Sequence, residues 1–304
     1  MTVFAPIPLR NSVPPITLEL DSQYVWACGY ELISHVGSGT YADVWQVRHR
    51  ETGQKFAWKQ LNAKWADDPA ARRLLANEAE VGRAVNSRHV VRVVEAQTDR
   101  APRFLLLDWH EGQNLEQRLT AEGRLPAHQA LWIARQCAQG LVDLAAAGYT
   151  HGDIKPMNIL IGERGDVRLI DLAFARPFPA RRPACDTETD LLTGTPEYLA
   201  PEALAPAAET GTLRDVYSLG STLYRMLTGR LPFQGETLEE VLRSQREAIP
   251  RGIRHYAPEV PREVAEFAES LLAKQPLRRP VGLNTLVDQL VRFELMMLPL
   301  ATAG

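Results

Sequence analysis

The stretch His151-Gly152-Asp153-Ile154-Lys155-Pro156-Met157-Asn158-Ile159-Leu160 sets a carboxylate, an ammonium and a carboxamide within six residues. Upstream, Pro126 to Ala147 carries Leu131, Ala134, Cys137, Leu141, Leu144 and Ala145 near a helical period, and Gly148 follows as a stop signal. Downstream, Ile159-Leu160 begins a short apolar run. The set therefore falls in a loop between a helix and a strand. A carboxylate there can orient a hydroxyl, a cation can balance developing charge, and an amide oxygen can hold a metal ion. An ordinary polar turn needs no such combination. Asp171 follows the apolar strand Val167 to Ile170. A lone carboxylate at a strand end is more often a turn cap. Lying one hairpin beyond Asn158, it reads as a second oxygen ligand for Mg²⁺.

Upstream of this loop the pattern is β-structure. Tyr30 to Val36, Val44 to Arg48, Phe56 to Lys59, Val90 to Ala96 and Arg103 to Asp108 predict five strands, with a helix over Pro69 to Val85. Between the first two strands lies Gly37-Ser38-Gly39-Thr40-Tyr41-Ala42-Asp43-Val44. Glycines there let backbone N–H groups approach an anion, although most such turns only join a hairpin. Ala42 stands where a third glycine is expected. Lys59 ends an otherwise apolar run, and an ammonium on an inner strand face needs a partner. Glu78 and Glu80, on different faces of the following helix, both qualify.

From about Leu115 the character turns helical, with later helices predicted at Arg214–Thr228, Thr237–Ser244, Pro261–Lys274 and Leu283–Leu298. Residues 175–193 read as a loop. Residues 1–25 read as an extended Pro-rich arm with one strand-like run, Ile16 to Leu20. A small antiparallel sheet followed by a larger helical part predicts a bilobal α+β fold, divided into the arm (1–25), a first lobe (26–110) and a second lobe (111–304).

Composition agrees. The chain has 304 residues, 45% of them apolar, enough for a large core. With 34 Lys+Arg against 37 Asp+Glu, it is no globally basic nucleic-acid binder. Cys28, Cys137 and Cys185 show neither disulfide-scaffold nor zinc spacing, which fits a reducing compartment. The N-terminus lacks signal-peptide features, and the apolar run Phe293 to Leu300 is too short to span a bilayer. A cytoplasmic protein without a membrane span is expected.

Three further elements complete an ordered set: Gly194-Thr195-Pro196-Glu197-Tyr198-Leu199-Ala200-Pro201-Glu202, then Asp215-Val216-Tyr217-Ser218-Leu219-Gly220, then Arg279-Pro280. In this order the motifs resemble a eukaryotic-type Ser/Thr protein kinase domain, of the bacterial eukaryotic-like kind, over roughly residues 28–295. The resemblance implies transfer of the ATP γ-phosphoryl group to Ser/Thr hydroxyls of protein substrates, with Mg²⁺ or Mn²⁺ as cofactor. By the same resemblance Gly37, Ser38, Gly39, Thr40 and Val44 would cover the phosphates, and Lys59 would contact them. Glu78, nineteen residues after Lys59 as the family usually has it, would hold that lysine in preference to Glu80. Val44, Ala57 and Leu160 would sandwich the purine, with Leu107 as gatekeeper and the backbone of Asp108 and His110 on the adenine edge. Asp153 would be the base, Lys155 would neutralise the transferred group, and Thr195 would touch both. Asn158 and Asp171 would bind the metal. Glu202 with Arg279 would brace the larger lobe, and Asp215 would hold the catalytic loop. The implied partners are protein substrates and a second copy during autophosphorylation, with no nucleic acid.

Some positions depart from the family. Gly152 stands where many kinases have an Arg that receives an activation-segment phosphate, which implies a non-RD enzyme competent without phosphorylation. Thr187 and Thr189 are nonetheless candidate autophosphorylation sites. Leu172-Ala173 replaces Phe-Gly after Asp171, and Ala reaches left-handed backbone less readily. Gly82 replaces an apolar side chain and predicts a gap beneath the helix, with Ile16 to Leu20 or Trp26 as candidates to fill it. These departures support an alternative: a pseudokinase acting as a nucleotide-binding scaffold.

Overall fold

The computed structural model describes residues 22–179, 196–204, 211–280 and 282–301. Strands β1 (Tyr30–Ser38), β2 (Ala42–His49), β3 (Lys55–Leu61), β4 (Val93–Gln97) and β5 (Phe104–Asp108) form one antiparallel sheet in the order β1-β2-β3-β5-β4. Strand alternation gives it two different faces. Cross-strand partners share a face, so Val44 with Lys59, Lys59 with Leu105, and Ala57 with Leu107 line one side. Trp45 with Trp58, Val47 with Phe56, and Trp58 with Leu106 line the other.

The first face packs on α2 (Pro69–Ala84). Asp68 caps this helix by accepting a hydrogen bond from the Ala71 N–H, and Pro69 fits the first turn, where its missing N–H costs nothing. Leu75, Glu78, Ala79, Val81 and Gly82 form its buried side. The gap expected beneath Gly82 is not there. A Cβ at position 82 would lie 2.4 Å from Cγ2 of Val93, so β4 already fills the space and the glycine permits the close approach.

The second face is covered by α1 (Ser22–Ala27), so the last residues of the predicted extended arm are helical. Val25 is fully buried, and Tyr24 meets Trp58 and Phe104 edge-on, each at 6.4 Å. Trp26 stays half exposed against Arg50 and fills nothing near Gly82, which lies across the sheet. Ile16 to Leu20 lies outside the described residues.

The rest is mostly helical: α3 (Leu115–Glu122), α4 (Ala127–Ala146), α5 (Thr212–Thr228), α6 (Leu238–Glu247), α7 (Ile253–Tyr256), α8 (Arg262–Ser270) and α9 (Leu283–Ala301). Helix α8 stops short of the expected Lys274. The chain leaves it at Leu271, and the Ala273 carbonyl turns to accept from Arg279 Nε at 2.9 Å. Small strands lie where the two halves meet. β6 (Gly112–Asn114), β8 (Ile159–Gly162) and β9 (Val167–Leu169) form one sheet, and β7 (Tyr149–Thr150) pairs with β10 (Arg176–Pro177). No helix among the described residues is long and apolar enough to cross a membrane.

Candidate active site

Lys59 projects from β3 toward α2 because it shares a face with Ala57. Its Nζ lies 2.6 Å from Glu78 Oε2 and 3.0 Å from Asp171 Oδ1. Glu80 faces elsewhere, accepting a 3.1 Å hydrogen bond from the Tyr149 hydroxyl, so the alternative between the two glutamates is decided by helix phase. Burial pushes the Glu78 carboxyl up to about 6, against the pull of the adjacent Lys59 charge. Burial also works against the Lys59 ammonium, but Asp171 and Glu78 outweigh it and hold its pKa above the usual lysine value. For Asp171, burial is outweighed by Lys59, with help from Lys155 and His151, and its carboxyl stays below the usual range.

The loop after α4 is organised by two buried side chains. Asp215, on α5, accepts from the His151 and Gly152 N–H groups, both at 2.8 Å. Its burial raises its pKa, opposed by His151 and these backbone donors. His151 Nδ1 accepts from the Asp153 N–H at 3.2 Å, which leaves the ring proton on Nε2, 3.2 Å from the Ile170 carbonyl. One ring therefore ties the Asp153 backbone to the strand end that carries Asp171.

Asp153 is buried and meets Lys155 Nζ at 2.7 Å and Asn158 Nδ2 at 2.8 Å, both through Oδ2. The same Asn158 nitrogen donates to the Asp153 carbonyl at 2.9 Å, so the Asn158 amide oxygen is turned away from Asp153. Asp153, Lys155, Asn158, Lys59, Glu78 and Asp171 thus form two connected groups, linked by His151 through the Ile170 carbonyl next to Asp171.

Gly152 has φ +81°, and a Cβ there would lie 2.3 Å from the Phe174 carbonyl oxygen. The absent side chain is a steric requirement of this loop. Asp171 is the one described non-glycine residue with positive φ, at 64°. The left-handed conformation therefore falls on Asp171, and Ala173 does not need it.

The glycine-containing turn is a hairpin in which the Gly39 N–H donates to the Ala42 carbonyl at 2.8 Å. Gly37 and Ser38 end β1, Thr40 lies in the turn, and Ala42 is buried at the start of β2. Val44, Ala57 and Leu160 are half-buried, whereas Leu107 is buried in the core under α2. Asp108 pairs with Arg92 at 3.0 Å, and His110 Nε2 lies 2.8 Å from Asp166. Thr195, Thr187 and Thr189 lie outside the described residues.

The described part of the later segment is firmly held. The Tyr198 carbonyl accepts from Ser218 Oγ at 2.8 Å and its hydroxyl from Arg225 at 2.6 Å. The Pro196 carbonyl accepts from Gln245 at 2.5 Å. Arg279 meets both carboxylate oxygens of Glu202, at 2.6 and 2.8 Å.

Sequence reasoning gave no role to His151, Tyr149 or Asn77. His151 and Tyr149 stand in or beside the quoted loop. Asn77 adjoins Glu78, with no other signal in the sequence.

Comparison with known proteins identifies the family. A family model described as "Protein kinase domain" matches residues 30–291. The chain is 31% identical to serine/threonine-protein kinase pkn2 of Myxococcus xanthus, over 91% of this chain and 33% of that protein. It is 30% identical to serine/threonine-protein kinase PknL of Mycobacterium bovis, over 86% of this chain and 63% of that protein. It is 27% identical to serine/threonine-protein kinase PrkC of Bacillus subtilis, over 82% of this chain and 38% of that protein. The chain thus spans less than two thirds of each of these relatives.

Proposed function

The chain belongs to the protein kinase domain family, and from that premise we propose that it is an ATP-dependent serine/threonine protein kinase of the non-RD type. The observation that carries the reading is Lys59 held between Glu78 and Asp171, with Lys155 and Asn158 both meeting Asp153 Oδ2. In this reading residues 26–110 and 111–304 are the two lobes around one nucleotide cleft, with α1 covering the outer face of the first lobe's sheet. Gly37 to Thr40 and Val44 cover the phosphates, and Lys59 contacts them, its direction set by Glu78. Ala57, Leu107, Leu160 and the backbone of Asp108 and His110 receive the adenine.

The site fits a divalent cation. Asp171 and the Asn158 amide oxygen are hard oxygen donors of the kind Mg²⁺ takes from protein alongside substrate phosphates. The two ammonium groups, Lys59 and Lys155, are outnumbered by the carboxylates Glu78, Asp153 and Asp171, so a polyphosphate needs an added positive charge to enter. Mg²⁺ bound there would neutralise phosphate charge. Asp153 would accept the proton of the incoming hydroxyl, and Lys155, 2.7 Å from it, would balance charge on the transferred group. Positioning and charge compensation account for most of such catalysis. The anchoring of Pro196 and Tyr198 supports a fixed surface for an extended protein substrate.

The scaffold alternative drew on Gly82, Gly152 and Ala173. Val93 fills the space at Gly82, Phe174 requires the glycine at 152, and Ala173 carries no left-handed backbone. These accommodations support the catalytic reading. Asp153→Asn and Lys59→Met are expected to abolish phosphate transfer from γ-labelled ATP while the proteins stay folded, as read by circular dichroism. Undiminished labelling by either variant would overturn the mechanism. Stabilisation of the wild type by Mg²⁺-ATP without any labelling would favour the scaffold.

A further inference from the structure

The residues after Asp171 form a turn, closed by the Ala175 N–H donating to the Leu172 carbonyl at 3.0 Å. Its carbonyls point to two places. Those of Leu172, Ala173 and Ala175 surround Asn77 Nδ2 at 3.4, 2.9 and 2.8 Å. That of Phe174 occupies the space over Gly152 that a Cβ would need. The turn is therefore seated between α2 and the catalytic loop. Leu172 is fully buried beneath it. Immediately before it, Asp171 sits in left-handed backbone, which a non-glycine residue keeps only when its surroundings over-determine it.

Asn77 precedes Glu78 on α2, so one helical turn presents both groups. Glu78 holds Lys59, which reaches Asp171 through its side chain. The Asn77 carboxamide donates to the backbone carbonyls of the same segment. A carboxamide suits this place: its –NH₂ supplies two donors to a cluster of carbonyls, and a carboxylate would be repelled by them.

We infer that Asn77 is a positioning residue for the proposed transfer. Its carboxamide seats the Leu172–Ala175 turn and thereby fixes the Asp171 backbone relative to both Glu78 and the catalytic loop. The contact is built from uncharged groups, so this seating requires no phosphate on the activation segment. The inference rests on the kinase reading for its functional meaning, but it makes claims that can be read without catalysis.

The test compares wild type with Asn77→Leu, which keeps the approximate shape and removes the donors, and with Asn77→Ser, which retains one donor in a shorter side chain. ATP binding is measured by calorimetry in EDTA and in excess Mg²⁺, and amide hydrogen exchange is followed at residues 172–175 without nucleotide. For Asn77→Leu, metal-free ATP affinity should stay within about twofold, while the Mg²⁺ enhancement of binding falls about tenfold. Exchange at 172–175 should rise by at least the same factor, and Asn77→Ser should lie between. Wild-type Mg²⁺ enhancement and wild-type exchange in Asn77→Leu would overturn the inference. Should that variant not fold, the same two readouts on Asn77→Ser decide. Phosphate transfer by the wild type is assayed in parallel. Its absence would defeat the kinase reading and leave the exchange result to judge Asn77 on its own.

Discussion

Gly152 shows how much one missing side chain can decide. As sequence, it reads as the loss of a cation that would receive a phosphate. In the structure it also has positive φ, with the Phe174 carbonyl where a Cβ would stand. An L-residue there meets both backbone strain and a backbone atom that no side-chain rotation can move. Gly152→Ala is therefore expected to cost about 2 kcal/mol or more of stability and to lower turnover, measured by chemical denaturation and by labelling. An unchanged midpoint would show that the 172–175 turn can shift aside at little cost. Gly82 teaches the same lesson: the sequence suggested a void, but Val93 from a strand distant in sequence occupies it.

At the scale of elements, the sheet is legible because its two faces differ. Trp45, Phe56, Trp58 and Phe104 alternate with Val44, Ala57 and Lys59, and alternation of that kind is a local property of strands. The cover on the aromatic face was not legible. Ser22-Gln23-Tyr24-Val25-Trp26-Ala27 is too short to hold a helix by propensity alone, and it is helical because Val25 and Tyr24 bury against Trp58 and Phe104. In the helical half, Arg279 binds together three separate pieces: the Glu202 carboxylate, the Leu213 carbonyl at the start of α5, and the Ala273 carbonyl after α8. Arg279→Ala removes the one partner that the Glu202 charge has among the described residues, in a largely buried place. A loss of about 3 kcal/mol or more is expected, read as a lowered denaturation midpoint. Glu202→Gln should also destabilise, because it leaves the fully buried Arg279 charge with only neutral acceptors. Equal stability of Arg279→Ala and wild type would contradict this account.

For the molecule as a whole, the site exists only where the two halves meet. Lys59 of the sheet reaches Asp171 of the second half, Asn77 reaches the turn beyond it, and Glu80 accepts from Tyr149. Glu78 makes this junction sensitive to acid. Burial raises its carboxyl from the ordinary 4.5 to about 6. For a carboxyl raised on folding, the charged form is the one the fold disfavours. Its protonation as pH falls through about 6 therefore adds stability from this group, and does not remove it. What is lost is the charge that directs Lys59. The expected outcome is a fall in kcat/KM for ATP below about pH 6, with no loss of melting temperature attributable to Glu78 between about pH 6 and about pH 5. A flat rate profile across that range would refute the assignment.

The sequence by itself determined the order of the main elements, the α+β division and the charged and amide side chains that gather around Lys59 and Asp153. Strand alternation, helix period and the polar content of His151 to Leu160 are local and survive in one dimension. It also narrowed the partner of Lys59 to two glutamates. Tertiary structure decided the rest. Helix phase against the sheet selected Glu78 and sent Glu80 to Tyr149. Close approach between distant segments turned Gly82 and Gly152 from apparent defects into fitted positions. Carbonyls brought together by a turn recruited Asn77, a residue whose neighbours in sequence say nothing of its contacts. These outcomes depend on which surfaces meet across the fold, and packing between segments far apart in the chain leaves little trace in the local pattern of either one.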